Sequence, residues 1–205
     1  MLRSTLRAIC LALSLSLTTA VPAALADQPI DIAKNVIEKA LEILKNQSIP
    51  KQERRRQVKQ IVNRYFDYRE MAKRSLGPTW RTLSQAQQDE FVPLFADLLE
   101  ASYSDKIEMY AVNVKIDYLG QSNEDGYAEV RTMVLRPNDR IPISYRMLNE
   151  SGSGWTVYDV SIEGVSLVSN YRSQFSRVIH ESSYAELLRR LRAKVQELKV
   201  TGGGA

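Results

Sequence analysis

The sequence is poor in the two side chains that most often carry metal or redox chemistry. It contains one cysteine, Cys10, and one histidine, His180, among 205 residues. A single cysteine excludes a disulfide within the chain and a zinc site built from cysteines, and a single histidine excludes a metal centre built from several histidines. Carboxylate chemistry, or binding without chemistry, is what remains.

The sequence also lacks a large excess of charge of one sign and a long apolar run. It has 28 Lys and Arg against 24 Asp and Glu, with 44% hydrophobic and 25% charged residues. These fractions are typical of a globular protein rather than a disordered chain or a coiled-coil rod. The apolar stretch at residues 8–20 is shorter than the roughly 20 residues that cross a bilayer.

Residues 1–26 are typical of a cleavable signal peptide. Arg3 and Arg7 precede the apolar stretch, and Ala24-Leu25-Ala26 supplies the small residues that a signal peptidase recognises. We expect cleavage before Asp27 and a periplasmic product, with an uncleaved anchor as the alternative. Cleavage removes the cysteine and two arginines, which lowers the formal net charge from +4 to +2. A charge this small argues against a nucleic-acid partner.

Hydrophobic periodicity predicts an α+β fold. Apolar residues recur at helical spacing, then alternate with period two over four segments separated by short turns, then return to helical spacing. Short turns favour a four-stranded antiparallel twisted sheet with helices before and after it. A single domain is expected over residues 27–200, with a flexible glycine-rich tail at residues 201–205. The predicted helices cover 32–44, a second segment that starts near Arg54 and runs to Phe66, 68–76, a long segment after Ser84 and two segments after Gly164; the predicted strands cover 112–118, 128–134, 141–147 and 155–160.

Two sequence signatures predict helix starts. Ser84 with Gln87, and Ser183 with Glu186, have the spacing of a capping box. Pro93 falls inside the long helix, where the loss of a backbone donor predicts a bend.

No arrangement of reactive residues is diagnostic of catalysis. His180 is expected on a helix surface, and the segment around Ser166 lacks the second glycine of a nucleophile elbow. Asp159 and Glu163 are the best candidates for an acid–base pair, although structural hydrogen bonding is the favoured interpretation of both. We therefore assign no catalytic residue and no metal ligand.

Two other features indicate binding. The sheet face and several helix stripes are rich in aliphatic and aromatic residues, which can form a core or enclose a cavity for an apolar ligand. Periodicity leaves both possibilities open. A basic cluster in the second helix is either a solvated face or a contact for a membrane surface or partner, and comprises Arg54, Arg55, Arg56 and Lys59.

Two segments in this order match the pattern of a known family. The first is Leu76-Gly77-Pro78-Thr79-Trp80, followed by Ser84, Phe91, Phe95, Leu98 and Tyr103. The second runs from Trp155 to Leu167 and continues with Asn170, Tyr171, Arg172 and Phe175. Its most specific part is the stretch Tyr158–Ser166. Together they resemble the MlaC/toluene-tolerance family of periplasmic phospholipid-binding proteins, over nearly the whole predicted mature chain.

This resemblance implies a lipid carrier between the two membranes of a Gram-negative envelope. It implies a twisted sheet and helices around an apolar pocket, which holds the acyl chains and leaves the head group near solvent. Phospholipid is then the ligand, with no cofactor and no catalytic residue. The implied partners are an outer-membrane lipoprotein–porin complex and an inner-membrane ABC lipid transporter. A hopanoid or another lipid is the alternative cargo within the family.

The pattern of apolar residues predicts which side chains line the pocket. The expected lipid-binding residues are Phe91, Phe95, Leu98, Tyr103, Val130, Val134, Ile143, Tyr145 and Met147.

We expect lipid release to require a docking partner that opens the pocket, with Pro93 and the loop at Gly164 as moving parts. Two other classes of function stay open. They are an exported enzyme that uses Asp159 and Glu163, and an adaptor whose apolar faces are all core.

Overall fold

A computed structural model describes residues 28–111, 113–150 and 154–202. The predicted signal peptide, residues 1–26, lies outside the described residues. The last helix extends to Gly202, two residues into the segment predicted as a tail. Within the described ranges, no helix is both long and apolar enough to cross a membrane.

The described residues form an α+β fold, as the sequence predicts. Helices precede and follow the sheet, and a short 3-10 helix, Gly77–Thr82, joins two of them. The helices are α1 (Pro29–Lys45), α2 (Lys51–Tyr65), α3 (Tyr68–Leu76), α4 (Gln85–Tyr110), α5 (Leu167–Glu181) and α6 (Tyr184–Gly202). The strands are β1 (Lys115–Glu124), β2 (Tyr127–Arg136), β3 (Asp139–Leu148), β4 (Thr156–Ile162) and β5 (Val165–Ser166).

The sheet has one strand more than the sequence predicts. Its order over the described residues is β1-β2-β3-β4-β5, and every neighbouring pair is antiparallel. The additional strand, β5, is only two residues long and follows a tight turn in which Glu163 and Gly164 have φ of 52° and 80°. A two-residue strand is too short to produce an alternating pattern, so periodicity does not reveal it.

The first strand also begins later than expected and extends further. It starts at Lys115 instead of residue 112, which lies outside the described residues, and it continues to Glu124. A register shift between Tyr118 and Gly120 breaks the alternation in the second half of the strand. This irregularity explains why the pattern predicts only the first half.

Helix starts follow their capping residues. The Gln87 backbone N–H donates to Ser84 Oγ at 3.3 Å, and the Ser84 backbone N–H donates to Gln87 Oε1 at 2.9 Å, which confirms the predicted capping box. At α6 only half of the box forms. The Glu186 backbone N–H donates to Ser183 Oγ at 3.1 Å, whereas the Glu186 carboxylate pairs with Arg189 at 2.7 Å.

The buried residues of the described chain fall into three clusters. The largest lies among α3, α4, α5 and α6 and contains Phe91, Phe95 and Phe175. The second lies between α1 and one face of the sheet. We call this the inner face of the sheet, and it includes Ala128, Val130, Ile143, Tyr145 and Val160. The third lies where α1, α2 and the end of α4 meet. The space between the three clusters is not filled by side chains.

Candidate functional site

A cavity of about 770 Å³ occupies the space between the three clusters. This volume is within the roughly 300–1,000 Å³ of small-molecule binding pockets. Each cluster contributes to the wall: Met71 and Leu99 come from the helical cluster, Val160 from the sheet cluster and Val58 from the third. The cavity is therefore bounded by the same apolar faces that form the core.

Strand register produces the apolar wall on the sheet side. Tyr145 pairs with Val160, and Ile143 pairs with Ile162, so these four side chains share the inner face. Each of them lines the cavity. The helical side of the wall is also largely apolar and includes Leu44, Val62, Phe66, Tyr68, Pro93, Ala96, Tyr103, Ile107 and Leu198.

The charged lining residues lie on the helical side of the cavity. Those that the structure describes, together with one amide and one serine hydroxyl, lie on α2, α4 and α6, whereas the sheet contributes no charged side chain. Several of these charged side chains are 39–50% exposed, so this side of the cavity meets solvent. We call it the polar rim, and it consists of Arg55, Lys59, Asn63, Asp97, Glu100, Ser104, Asp105 and Lys199.

Ion pairs connect the helices across the polar rim. Lys59 Nζ on α2 lies 2.5 Å from Glu100 Oε2 on α4, and Lys199 Nζ on α6 lies 2.8 Å from Asp97 Oδ2 on α4. The Arg55 guanidinium pairs with two carboxylates of α4, those of Asp105 and of Glu108, the latter at 2.8 Å. The carboxylates Asp97, Glu100, Asp105 and Glu108 recur at helical spacing, so they form one acidic stripe along α4.

The three tyrosines in the wall carry no charge near neutral pH. Burial raises the pKa of Tyr145 to about 12 and the pKa of Tyr68 to about 12, and it also raises the pKa of Tyr103. All three hydroxyls therefore stay protonated, and the tyrosines add no charge to the wall.

The structure divides the residues nominated for lipid binding into two groups. Tyr103, Ile143 and Tyr145 line the cavity, and their contact with lipid stays a prediction. The other six are core residues that do not appear in the cavity wall. They are Phe91, Phe95 and Leu98 in the helical cluster, Val130 and Met147 in the sheet cluster, and Val134, which is 8% exposed on the same sheet face.

Helix α4 packs on two sides, which explains why some of its nominated residues lie in the core and not in the cavity wall. The Phe91 ring stacks on the Phe95 ring at 5.8 Å and meets the Phe175 ring edge-on at 5.8 Å. These rings point towards α5 and α6, whereas the cavity faces another side of the same helix. A helix buried on two sides has apolar residues around much of its circumference, so periodicity does not identify the side that faces the cavity.

The four nominated basic residues all have carboxylate partners. Arg56 pairs with Glu53 at 2.6 Å on the same helix. Arg54 is 8% exposed, and its guanidinium donates to the Ile49 carbonyl at 2.7 Å and pairs with Glu108 at 3.2 Å. Arg55 and Lys59 belong to the polar rim. Contact of these residues with a membrane or partner stays a prediction.

Asp159 has the structural role that the sequence favours. It is 2% exposed, and its carboxylate accepts hydrogen bonds from Ser166 Oγ at 2.6 Å and from the Val168 backbone N–H at 3.1 Å. Arg146 adds an ion pair at 3.5 Å. Glu163 is exposed in the β4–β5 turn, so the two carboxylates do not share one buried site. Asp159 instead holds β5 and the start of α5 against β4.

Other reactive groups are dispersed. His180 is exposed on α5, which confirms its predicted position. Among residues 28–111, 113–150 and 154–202, no group of three or more His, Cys, Asp or Glu side chains stands close enough together to hold a metal ion.

Sequence reasoning missed most of the polar rim. It singled out the cations of α2 but not the carboxylates of α4 that they meet. The helical spacing of Asp97, Glu100, Asp105 and Glu108 was available as a signal. The contribution of Lys199 carries no such signal, because it depends on how α6 packs against α4.

The chain is similar to known proteins in sequence and in fold. The family model described as MlaC protein matches residues 34–193. The intermembrane phospholipid transport system binding protein MlaC of Haemophilus influenzae is 22% identical over 127 residues, which cover 60% of this chain and 59% of that protein, less than two thirds of its length. A phospholipid-binding protein from Ralstonia solanacearum, solved in complex with a phospholipid, has a TM-score of 0.75 at 22% identity over 84% of this chain and 99% of that one. At this identity the structural likeness shows a shared fold.

Proposed function

The chain belongs to the MlaC family, and from this membership we propose that it is a periplasmic phospholipid carrier. It holds the acyl chains of a phospholipid in the cavity and carries the lipid between complexes of the outer and inner membranes. The partners proposed are an outer-membrane lipoprotein–porin complex and an inner-membrane ABC lipid transporter. The proposal includes no chemical step on the lipid.

One observation carries this proposal: the cavity wall is apolar along the sheet and carries solvent-exposed charged side chains on its helical side, at the polar rim. A phospholipid has the same division, with hydrocarbon chains and one charged head group. The acyl chains lie against Ile143, Tyr145 and Val160, and the head group lies at the polar rim. This orientation exposes the head group to water and removes the methylenes from it.

The free energy of acyl-chain burial favours a carrier that releases its lipid only to a partner. Each buried methylene contributes about 0.8 kcal/mol, so two acyl chains are held strongly. Spontaneous release into water is correspondingly slow. A partner that opens the cavity therefore sets the rate of transfer, and transfer to bare liposomes at the same rate as to a partner complex contradicts this part of the proposal.

Periplasmic location is supported by the sequence pattern of residues 1–26. The small-residue motif Ala24-Leu25-Ala26 precedes the described domain by only a few residues. The expected mature N-terminus, Asp27, lies two residues before α1 begins at Pro29. Cleavage at this position leaves every helix and strand of the described fold intact.

Native mass spectrometry of the mature protein tests the proposal directly. We expect bound phospholipid at a defined stoichiometry, identified after lipid extraction. Ala96→Trp places a large side chain in the cavity wall and should abolish or strongly reduce the bound lipid. Ala86→Trp is the matched control, because Ala86 is exposed on the same helix and away from the cavity.

The outcomes separate the function classes. An apo mass in the unmodified protein, at a sensitivity that detects lipid in a known carrier, contradicts the proposal and favours an adaptor without a ligand. Equal lipid loading of the two tryptophan variants shows that lipid does not occupy this cavity. If the extract contains a hopanoid in place of phospholipid, the protein is still a lipid carrier but its cargo is a different lipid.

A further inference from the structure

The polar rim carries as many positive as negative side chains. Its cations are Arg55, Lys59 and Lys199, and its carboxylates are Asp97, Glu100 and Asp105. Each of these six side chains takes part in an ion pair that spans two helices. The polar rim, where a head group would lie, is therefore charged but has no net charge.

Two of these ion pairs are adjacent and open to exchange. Asp97 and Glu100 lie three residues apart on α4, so their carboxylates neighbour one another on one turn. Lys199 approaches this turn from α6 and Lys59 approaches it from α2. All four side chains are 39–50% exposed. Ion pairs with this exposure are weak, so a ligand with suitable charges can replace one partner by another.

Arg55 is held more firmly than the two lysines. Its guanidinium pairs with both Asp105 and Glu108, and it is only 26% exposed. Within the described part of the chain, Lys59 and Lys199 each pair with a single carboxylate. A lysine ammonium is also a compact charge on a flexible stem, so the lysines are the cations that can turn towards a phosphate.

We propose that the polar rim recognises a zwitterionic head group, one that carries both a phosphate and an ammonium group. The proposal rests on the carrier function above. The phosphate pairs with Lys59 and Lys199, and the head-group ammonium pairs with the carboxylates of Asp97 and Glu100. The two lysines share the phosphate and the two carboxylates share the ammonium, so the rim with its bound head group stays neutral.

An anionic head group does not allow this exchange. Its phosphate also attracts the lysines, but the carboxylates that the lysines leave then face the phosphate without a counter-charge. Like charges at this separation repel, and a partner that leaves charges unpaired is discriminated against. The neutral rim thus selects between phospholipids that have identical acyl chains.

A competition experiment tests this inference. The mature protein is equilibrated with vesicles that contain equal amounts of phosphatidylethanolamine and phosphatidylglycerol with matched acyl chains, and the bound lipid is identified by native mass spectrometry. We expect phosphatidylethanolamine to be enriched about threefold, an effect within the range of an exposed ion pair. Enrichment should fall at high salt, because these charges are reached by solvent.

A charge variant tests whether the head-group preference arises at the polar rim. Glu100→Gln leaves Lys59 without its carboxylate and gives the rim a net positive charge, so the bound lipid should shift towards phosphatidylglycerol by roughly threefold. Glu186→Gln changes the net charge of the protein equally. Glu186 pairs with Arg189 and Arg190 at the start of α6 and does not line the cavity. This control should keep the preference of the unmodified protein.

Each outcome supports or overturns the inference. Bound lipid in the proportion of the vesicles, or the same shift in both variants, overturns head-group recognition by the rim and leaves the carrier function intact. Failure to bind either lipid overturns the carrier function together with this inference.

Discussion

Lys59 Nζ on α2 lies 2.5 Å from Glu100 Oε2 on α4, at the polar rim of the cavity. The same two helices are joined further along by Arg55 with Asp105 and by Arg54 with Glu108. The order of these pairs shows that the helices run in opposite directions. The residues that α2 buries are Arg54 and Val58, so ion pairs as well as apolar packing hold this boundary, and Lys59–Glu100 is the most exposed of the three pairs.

A cross-link between α2 and α4 should trap the cargo. An exposed ion pair such as Lys59–Glu100 contributes only about 0–1 kcal/mol, and we expect the wall to open at this boundary. We expect Lys59→Cys with Glu100→Cys, joined by a short bis-maleimide, to slow lipid transfer to acceptor membranes at least several-fold. The predicted mature chain has no other cysteine, so the cross-link is site-specific. Transfer of a fluorescent phospholipid measures the rate.

The control for the cross-link lies within one helix. Lys194 and Glu197 form an ion pair of the same type at 2.7 Å on α6. Cysteines at these two positions, joined by the same reagent, should leave the rate unchanged. Equal slowing in both proteins, or in neither, contradicts an opening between α2 and α4.

Truncation of Phe91 should mainly lower the stability of the fold, whereas truncation of Ile143 should mainly weaken lipid retention. Phe91 is fully buried among Phe95 and Phe175, so Phe91→Ala should lower the free energy of unfolding by about 3–5 kcal/mol. Ile143 faces the cavity on one side. Ile143→Ala should therefore cost less stability but weaken lipid retention by roughly 1–2 kcal/mol.

Urea unfolding and lipid dissociation of the two variants measure these effects. Lipid retention should be compared at a urea concentration far below either midpoint, so that unfolding does not contribute. If Phe91→Ala weakens retention while stability is unchanged, Phe91 contacts the lipid and the assignment of this residue to the core is wrong.

Asp159→Ala should destabilise the fold without removing a chemical function. The substitution leaves the Ser166 hydroxyl and the Val168 N–H without their acceptor, which should lower the free energy of unfolding by about 2–4 kcal/mol. Glu163→Gln is the comparison, because Glu163 is exposed in a turn and should change stability little. An enzyme that uses both carboxylates requires the opposite: loss of a turnover reaction in Asp159→Asn and Glu163→Gln proteins that still fold and bind lipid.

Alkaline pH should destabilise the protein partly through Tyr145. Burial raises the pKa of this hydroxyl from its ordinary 10.0 to about 12. Between these values the folded protein keeps a proton that the unfolded chain releases, so stability falls as the pH rises through this window. In Tyr145→Phe the urea midpoint should fall less between about pH 8 and about pH 11. Tyr127→Phe, which removes a 47% exposed tyrosine, should show the same fall in urea midpoint as the unmodified protein. If the midpoint falls equally in the unmodified protein and in both variants, Tyr145 does not cause the loss of stability.

The local pattern of the sequence anticipates most elements because their causes are local. The bounds of α3, Tyr68–Leu76, follow from its apolar spacing and from the Gly77-Pro78 pair that ends it. The start of α4 follows from the Ser84 capping box. The strand β5 and the second half of β1 were missed, since the first is two residues long and the second contains a register shift.

The candidate site was anticipated only in part because its causes are not local. Tyr103, Ile143 and Tyr145 were nominated and line the cavity, but Met71, Leu99 and Val160 were not nominated and line it as well. A buried apolar residue shows the same periodicity whether it faces another side chain or an empty space. Phe91 and Val130 are therefore indistinguishable, in sequence, from true wall residues.

The sequence by itself determined the α+β class, the scarcity of reactive side chains and the resemblance to a lipid-carrier family. Composition and period are properties of residues along the chain, so they need no knowledge of packing. Only the tertiary structure decided that three apolar clusters leave a cavity between them, and that Lys59 of α2 and Lys199 of α6 meet neighbouring carboxylates of α4 in its wall. These contacts join residues about 40 and about 100 positions apart, and their geometry is set by the packing of whole helices.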